Sequence, residues 1–186
     1  MKQTITAAEA KSEAQKIAFS PIFFQCVVSL RDLGILAYIQ KNRKGVAIKD
    51  ICENLNITDY GVRVLLEAAE CLNVVEYLDK DSVILTKTGF FILKDEMTNV
   101  NINFVNDVCY DGAKALTKSI ENSKPEGLKV FGDWDTVYEG LSQLTPLQQK
   151  SWFEFDHHYS DDIFEEALGL LFKKPRKKIF DIGANT

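Results

Sequence analysis

The densest chemistry in this 186-residue sequence lies in the run Ile179-Phe180-Asp181-Ile182-Gly183-Ala184-Asn185-Thr186. An apolar strand followed by an acid and a glycine puts one carboxylate, Asp181, and an unhindered backbone, Gly183, at the carboxyl edge of a sheet, where α/β proteins bind nucleotides. An ordinary β-turn after a strand uses the same residue types, so the motif by itself leaves both readings open. His157 and His158 are the only imidazoles. Adjacent helical positions point about 100° apart, so the pair cannot hold one metal ion from a single face. With Asp161 and Asp162 four positions after each, they predict a solvated or pocket-rim helix and no metal site. Trp134, Tyr138, Trp152, Phe153, Phe155 and Tyr159 could wall a flat apolar molecule or fill a core. The four cysteines, Cys26, Cys52, Cys71 and Cys109, are spaced by 26, 19 and 38 positions and form no Cys-x-x-Cys pair, which predicts buried free thiols.

Charge and hydropathy narrow the partners. The chain carries 22 basic against 27 acidic side chains, a net charge of −5, which opposes the phosphate neutralisation that nucleic-acid binding requires. The most apolar segment, Ile17 to Ile39, is interrupted by Gln25, Ser29, Arg31 and Asp32, so it reads as a buried helix and no membrane partner is expected. The start Met1-Lys2-Gln3-Thr4 has no apolar signal core, and the expected location is the cytoplasm. The basic run Lys173-Lys174-Pro175-Arg176-Lys177-Lys178 leads into an apolar strand pattern and is expected to be a solvated helix end and loop.

The elements that must position these residues follow from periodicity and breakers. A helix is expected over residues 5–19, with Ser20-Pro21 starting a second one through Gln40. Its stripes, Phe23, Val27, Leu30, Gly34, Ala37 and Phe24, Val28, Leu33, Ile35, Leu36, make it apolar on most sides, and contact with a second subunit is the expected reason. Replacing Val27 or Leu30 by Asp is accordingly expected to yield monomers. Lys41 to Gly45 closes that helix. A short helix, Lys49 to Leu55, a turn, and a longer helix, Asp59 to Leu72, come next, with Thr58 as N-cap and Val62, Leu65, Leu66, Ala69 and Leu72 on one buried face. Two strands, Val74 to Leu78 and Val83 to Leu85, flank the turn Asp79 to Ser82. Helices are then expected over about 100–121, 134–142, 146–158 and 161–173, the last two opened by Thr145-Pro146 and Ser160-Asp161-Asp162, and a buried strand over 177–183.

Helix, turn, helix and hairpin is the order of a winged helix. Residues 45–95, however, hold five basic against nine acidic side chains, and the helix that would enter a DNA groove sets Asp59, Glu67 and Glu70 against Arg63 alone. Such a helix is repelled by phosphates. Protein interaction or dimerisation is the expected role of the module.

The whole order of elements resembles the class I S-adenosylmethionine-dependent O-methyltransferases of the small-molecule type. Ser20-Pro21 to Ile39 looks like their dimer helix, Ile48 to Leu93 like their wing module, and Phe155-Asp156-His157-His158-Tyr159-Ser160 like the connector that precedes their catalytic domain. Asp181 and Gly183 are similar to the start of their first cofactor motif. The fold class so implied is mainly α with a small β-hairpin wing: a winged-helix dimerisation domain at 1–95, a helical connector and substrate-pocket wall at 96–176, and the first strand of a Rossmann-like methyltransferase domain at 177–186, where the chain is expected to be truncated. The resemblance implies S-adenosylmethionine as cofactor of the complete enzyme, held in part by Asp181 and Gly183. It further implies a homodimer through the N-terminal helices and a small-molecule methyl acceptor, methylated on oxygen and lined by Tyr159, Phe155, His158 and Trp152. Tyr159 stands where the family often has a pocket Met. No residue of 1–186 is assignable as the catalytic base, and the piece alone is expected to be inactive. A winged-helix transcriptional regulator or a non-catalytic dimerisation module is the alternative.

Overall fold

Thr6 starts the first helix by a reciprocal cap: its hydroxyl accepts from the Glu9 amide, and the Glu9 carboxylate accepts from the Thr6 amide at 2.7 Å. The computed structural model describes residues 5–180 and residue 182, the side chain of Asp162 excepted. Helix α1 spans Ala7–Asp32 and runs straight through Pro21, where two helices were expected. Proline cannot donate to the Ile17 carbonyl, and the Ser20 hydroxyl does so instead at 2.8 Å, so the missing amide leaves no orphan acceptor. The break comes later, at Gly34, whose φ of 79° is the left-handed conformation a side chain would resist. There the axis turns by 60° into α2, Ile35–Lys41.

This bend divides α1 into two environments. Its last turns and α2 enter the core, with Leu30, Ile35 and Leu36 fully buried, whereas the helix from Ala7 to Ile22 is exposed throughout. Val27 and Leu30 therefore face their own subunit. The expectation that Asp at either position would merely separate subunits is corrected: a carboxylate there sits inside the monomer's core and costs its desolvation. No single helix among the described residues is long and apolar enough to cross a membrane.

A short strand β1, Val46–Ala47, precedes α3, Ile48–Leu55, and α4, Asp59–Cys71, begins at Thr58, whose hydroxyl accepts from the Gly61 amide at 3.2 Å. Val62, Leu66 and Ala69 of α4 are fully buried and Leu65 and Leu72 pack at the edge, as the periodicity predicts. Strands β2, Val75–Asp79, and β3, Ser82–Leu85, form an antiparallel hairpin, and β1 adds to it, giving the order β1-β3-β2. Val83 pairs with Val46 on one side and Tyr77 on the other. The short β1 is an addition that its two residues do not advertise in the sequence. Helix α5, Lys87–Lys94, is capped by Thr86. All of this belongs to the first of two compact units, which divide between Asn99 and Val100.

Arg63 ties α4 to the hairpin. Its guanidinium donates to Asp59 at 2.9 and 3.1 Å, to the Lys80 carbonyl at 3.0 Å and to Asp81 at 2.9 Å. The hydrogen bonds it donates to Asp59 and then to Asp81 hold it even more firmly protonated than an ordinary arginine.

Helix α6, Glu96–Phe104, carries the chain into the second unit, where it widens into a π-helical turn, Val105–Cys109. A 3-10 turn at Gly112–Ala115, helix α7 at Leu116–Asn122 and a 3-10 turn at Glu126–Val130 follow. The helix expected over 134–142 is absent; two 3-10 turns, Val137–Glu139 and Leu141–Gln143, stand there. The Trp134 indole lies over Gly132 and Gly140 so closely that neither could carry a side chain, and this packing overrides local helix propensity. The two helices expected after Thr145 are one, α8, Pro146–Leu171. The Ser160 hydroxyl bonds back to the Asp156 carbonyl at 2.8 Å and so continues the helix where it was expected to cap a new one.

The strand expected over 177–183 does not form across 177–180, and Ile179 and Phe180 are exposed at 50% and 87%. A parallel strand needs a neighbour to complete its hydrogen bonds, and the only sheet among the described residues is the antiparallel one above. Ile182 is likewise exposed, and Asp181 and Gly183 lie outside the described residues.

All four cysteines are free, but Cys71 is exposed where a buried thiol was expected; Cys26, Cys52 and Cys109 are half-buried, and burial pushes their thiols above the usual range. A raised pKa lowers the thiolate fraction at any given pH. Iodoacetamide at pH 8 should therefore label Cys71 first and Cys109 late, read by peptide mass spectrometry. Leu66→Ala should lower the unfolding free energy by about 2–5 kcal/mol in a denaturant titration, since a fully buried leucine leaves a cavity behind.

Candidate acceptor pocket

In the second unit the capping box of Thr145 with Gln148, and Pro146 at the first helical position, fix where α8 starts. From that start Trp152, Phe155 and Tyr159 fall at helical spacings of three and four, on one side of α8. They join a ladder of rings. Phe155 stacks on Phe104 with centroids 4.0 Å apart, Trp152 tilts against Phe104 at 5.7 Å, Tyr138 meets Trp152 edge-on at 6.3 Å, and Tyr159 lies 5.0 Å from Phe155. The Tyr159 hydroxyl donates to Asn101 at 2.9 Å, and the half-buried His158 ring stands edge-on to Tyr159.

Phe104 is the centre of this ladder and was not among the residues singled out from the sequence. It sits in a mixed stretch, Asn101-Ile102-Asn103-Phe104, whose only signal is an aromatic residue in a helix. The π-helical turn that follows aims Asp107 at α8, where the buried Ser151 donates to its carboxylate at 2.5 Å and Asn106 donates to the other oxygen at 2.9 Å. This pair fixes the turn against α8, and with it the approach of Phe104 to Trp152 and Phe155.

Beside the ladder is a cavity of about 630 Å³, walled by Phe104, Val108, Leu116, Phe131, Tyr138 and Trp152 among others. That volume falls in the range of small-molecule sites. One wall is made where Gly112 and Gly127 meet: a Cβ on either would come within 2.8 Å of the other's carbonyl oxygen. Among the described residues Asp135 is the only carboxylate of the lining, and no histidine, lysine or arginine borders it. The arrangement can bind and orient a largely apolar molecule, and among the described residues it pairs no base with a nucleophile. Of the four residues expected to contact substrate, Trp152 borders the cavity, whereas Phe155, Tyr159 and His158 continue the ring ladder along α8. His157 turns elsewhere, to Asp161 at 3.1 Å on the helix surface. Among the described residues no group of three or more metal-ligating side chains is placed to hold an ion.

Residues 11–82 match the Dimerisation2-like domain family. No curated protein sequence matches the chain significantly. Among solved structures, the S-adenosylmethionine-dependent methyltransferase SibL superposes with a TM-score of 0.69 at 15% identity, over 88% of this chain and 47% of its own. Mitomycin 7-O-methyltransferase MmcR gives 0.66 at 14% identity, over 90% and 48%. Human N-acetylserotonin methyltransferase, solved with S-adenosylmethionine, gives 0.65 at 11% identity, over 91% and 50%. The chain thus spans about half the length of the structures it matches. Residues 11–82 thus match the Dimerisation2-like domain, and the chain has a fold like that of part of the S-adenosylmethionine-dependent methyltransferases.

Proposed function

We propose that this chain supplies the dimerisation and acceptor-binding half of a cytoplasmic, S-adenosylmethionine-dependent methyltransferase that modifies a small molecule on oxygen. The observation that carries the reading is the coincidence of that fold with an aromatic-walled cavity of about 630 Å³ in the second unit. In the proposed division of labour residues 1–95 form a winged-helix dimerisation module, 96–176 the acceptor wall, and 177–186 the entry to a Rossmann-like domain. Trp152, Phe155, Tyr159 and His158 orient the acceptor, with Phe104 stacked between them. Asp181 and Gly183 bind the cofactor's methionine end. When bound, S-adenosylmethionine supplies an electrophilic methyl group. The chain's own contribution is to exclude water and hold the acceptor oxygen in line.

The exposed apolar residues support this division. Ile17, Phe19 and Ile22 of α1 are 74%, 50% and 61% exposed, on an exposed helical stretch assigned here to a second copy of the chain. Ile163, Phe164 and Leu168 near the end of α8 are also exposed, the face assigned to the Rossmann-like domain. The rival reading, a DNA-binding winged helix, finds the one basic residue of α4 already committed: Arg63 is held by Asp59, Asp81 and the Lys80 carbonyl.

Two measurements test the proposal. Calorimetry of residues 1–186 with S-adenosylmethionine should show no submicromolar binding, and tight binding would mean that the cofactor site lies within the described units. The double substitution Ile17→Asp and Ile22→Asp should convert a dimer to a monomer in light scattering with an unchanged circular-dichroism spectrum. An unchanged mass would remove α1 as the interface.

A further inference from the structure

A second concave site lies in the first unit, independent of the acceptor pocket. The carboxyl end of α2, strand β3 and the first turn of α5 enclose a groove of about 370 Å³. Its floor is apolar: Ile39 is buried, Ile84 and Leu85 are half-buried, and Phe90 is 42% exposed. Four polar side chains line it, Gln40, Arg43, Thr86 and Lys87, of which Thr86 is already engaged, its hydroxyl donating to the Asn73 and Val74 carbonyls. Among the described residues neither Arg43 nor Lys87 forms an ion pair, although the first unit is rich in acids and Lys49 and Arg63 both find carboxylates. The Gln40 carboxamide likewise makes no hydrogen bond among the described residues. No acid lines the groove; Glu76, paired with Ile84 across the sheet, stands outside it.

We propose that this groove binds a small amphipathic anion, an apolar chain or ring bearing a single carboxylate. The apolar body lies over Ile39, Ile84, Leu85 and Phe90, and the carboxylate is met by Arg43 and Lys87 at the rim, with Gln40 as a neutral donor. Two unpaired cations over an apolar floor with no acid in its lining favour an anion there, in a chain whose net charge is −5. The volume is at the lower end of small-molecule sites.

The test is a titration of the isotopically labelled chain with octanoate, followed by the methyl signals of Ile39, Ile84 and Leu85, with 1-octanol as the uncharged probe of equal length. Octanoate should shift these signals saturably. Its affinity should fall by about fivefold or more on raising the salt from about 50 to about 500 mM, because rim charges are screened. A comparable loss of about fivefold or more should follow Arg43→Gln combined with Lys87→Gln, with the remaining spectrum unchanged, since charge-assisted hydrogen bonds are removed. Octanol should bind correspondingly less well. Equal binding of octanol and octanoate, or an unaltered affinity in the double variant, would overturn the proposal. So would methyl signals that move with protein concentration and not with octanoate, which would mean that a second copy of the chain covers the groove.

Discussion

A helix that must be half inside and half outside its own subunit governs this structure. The apolar run from Ile17 to Ile39 is too long to bury within the first unit as one rod, and Gly34 resolves the conflict by turning the axis through 60°. Leu30, Ile35, Leu36 and Ile39 then join Ile51, Val62, Leu66 and Val83 in one core, while Ala7 to Ile22 stay outside it. The hairpin and α5 complete that core from the other side. Shortening the exposed half would leave the core intact, whereas straightening the bend would withdraw α2 from it.

Electrostatics and packing fulfil separate tasks in the two units. In the first, the one cation of α4 is held at the hairpin turn through Asp59 and Asp81, so the same contact that braces the sheet also occupies the only positive charge on that helix. In the second, the buried Ser151 is paired with the half-buried Asp107, and the value of the pair is positional: it sets the π-helical turn against α8 and brings Phe104 between Trp152 and Phe155. The cavity beside those rings is apolar because its walls come from the remaining faces of the same turns. The Gly112 and Gly127 backbones close it without side chains.

Periodicity and capping chemistry in the sequence determined α3, α4 and the hairpin almost to the residue, because each is specified by neighbours within one or two turns: Thr58 as N-cap, the stripe from Val62 to Leu72, and the turn Asp79 to Ser82. The aromatic residues of α8 were legible for the same reason. The tertiary structure decided the rest. Serine hydroxyls carried α1 past Pro21 and α8 past Ser160 by bonding to carbonyls of the preceding turn, a choice that sequence alone leaves balanced against capping. Trp134 settled on two glycines and dissolved an expected helix. Leu30 turned inward, where the sequence could say only that it was apolar. Phe104 became the centre of the ring ladder through partners about fifty positions away, and pairings over that distance leave no local pattern to read.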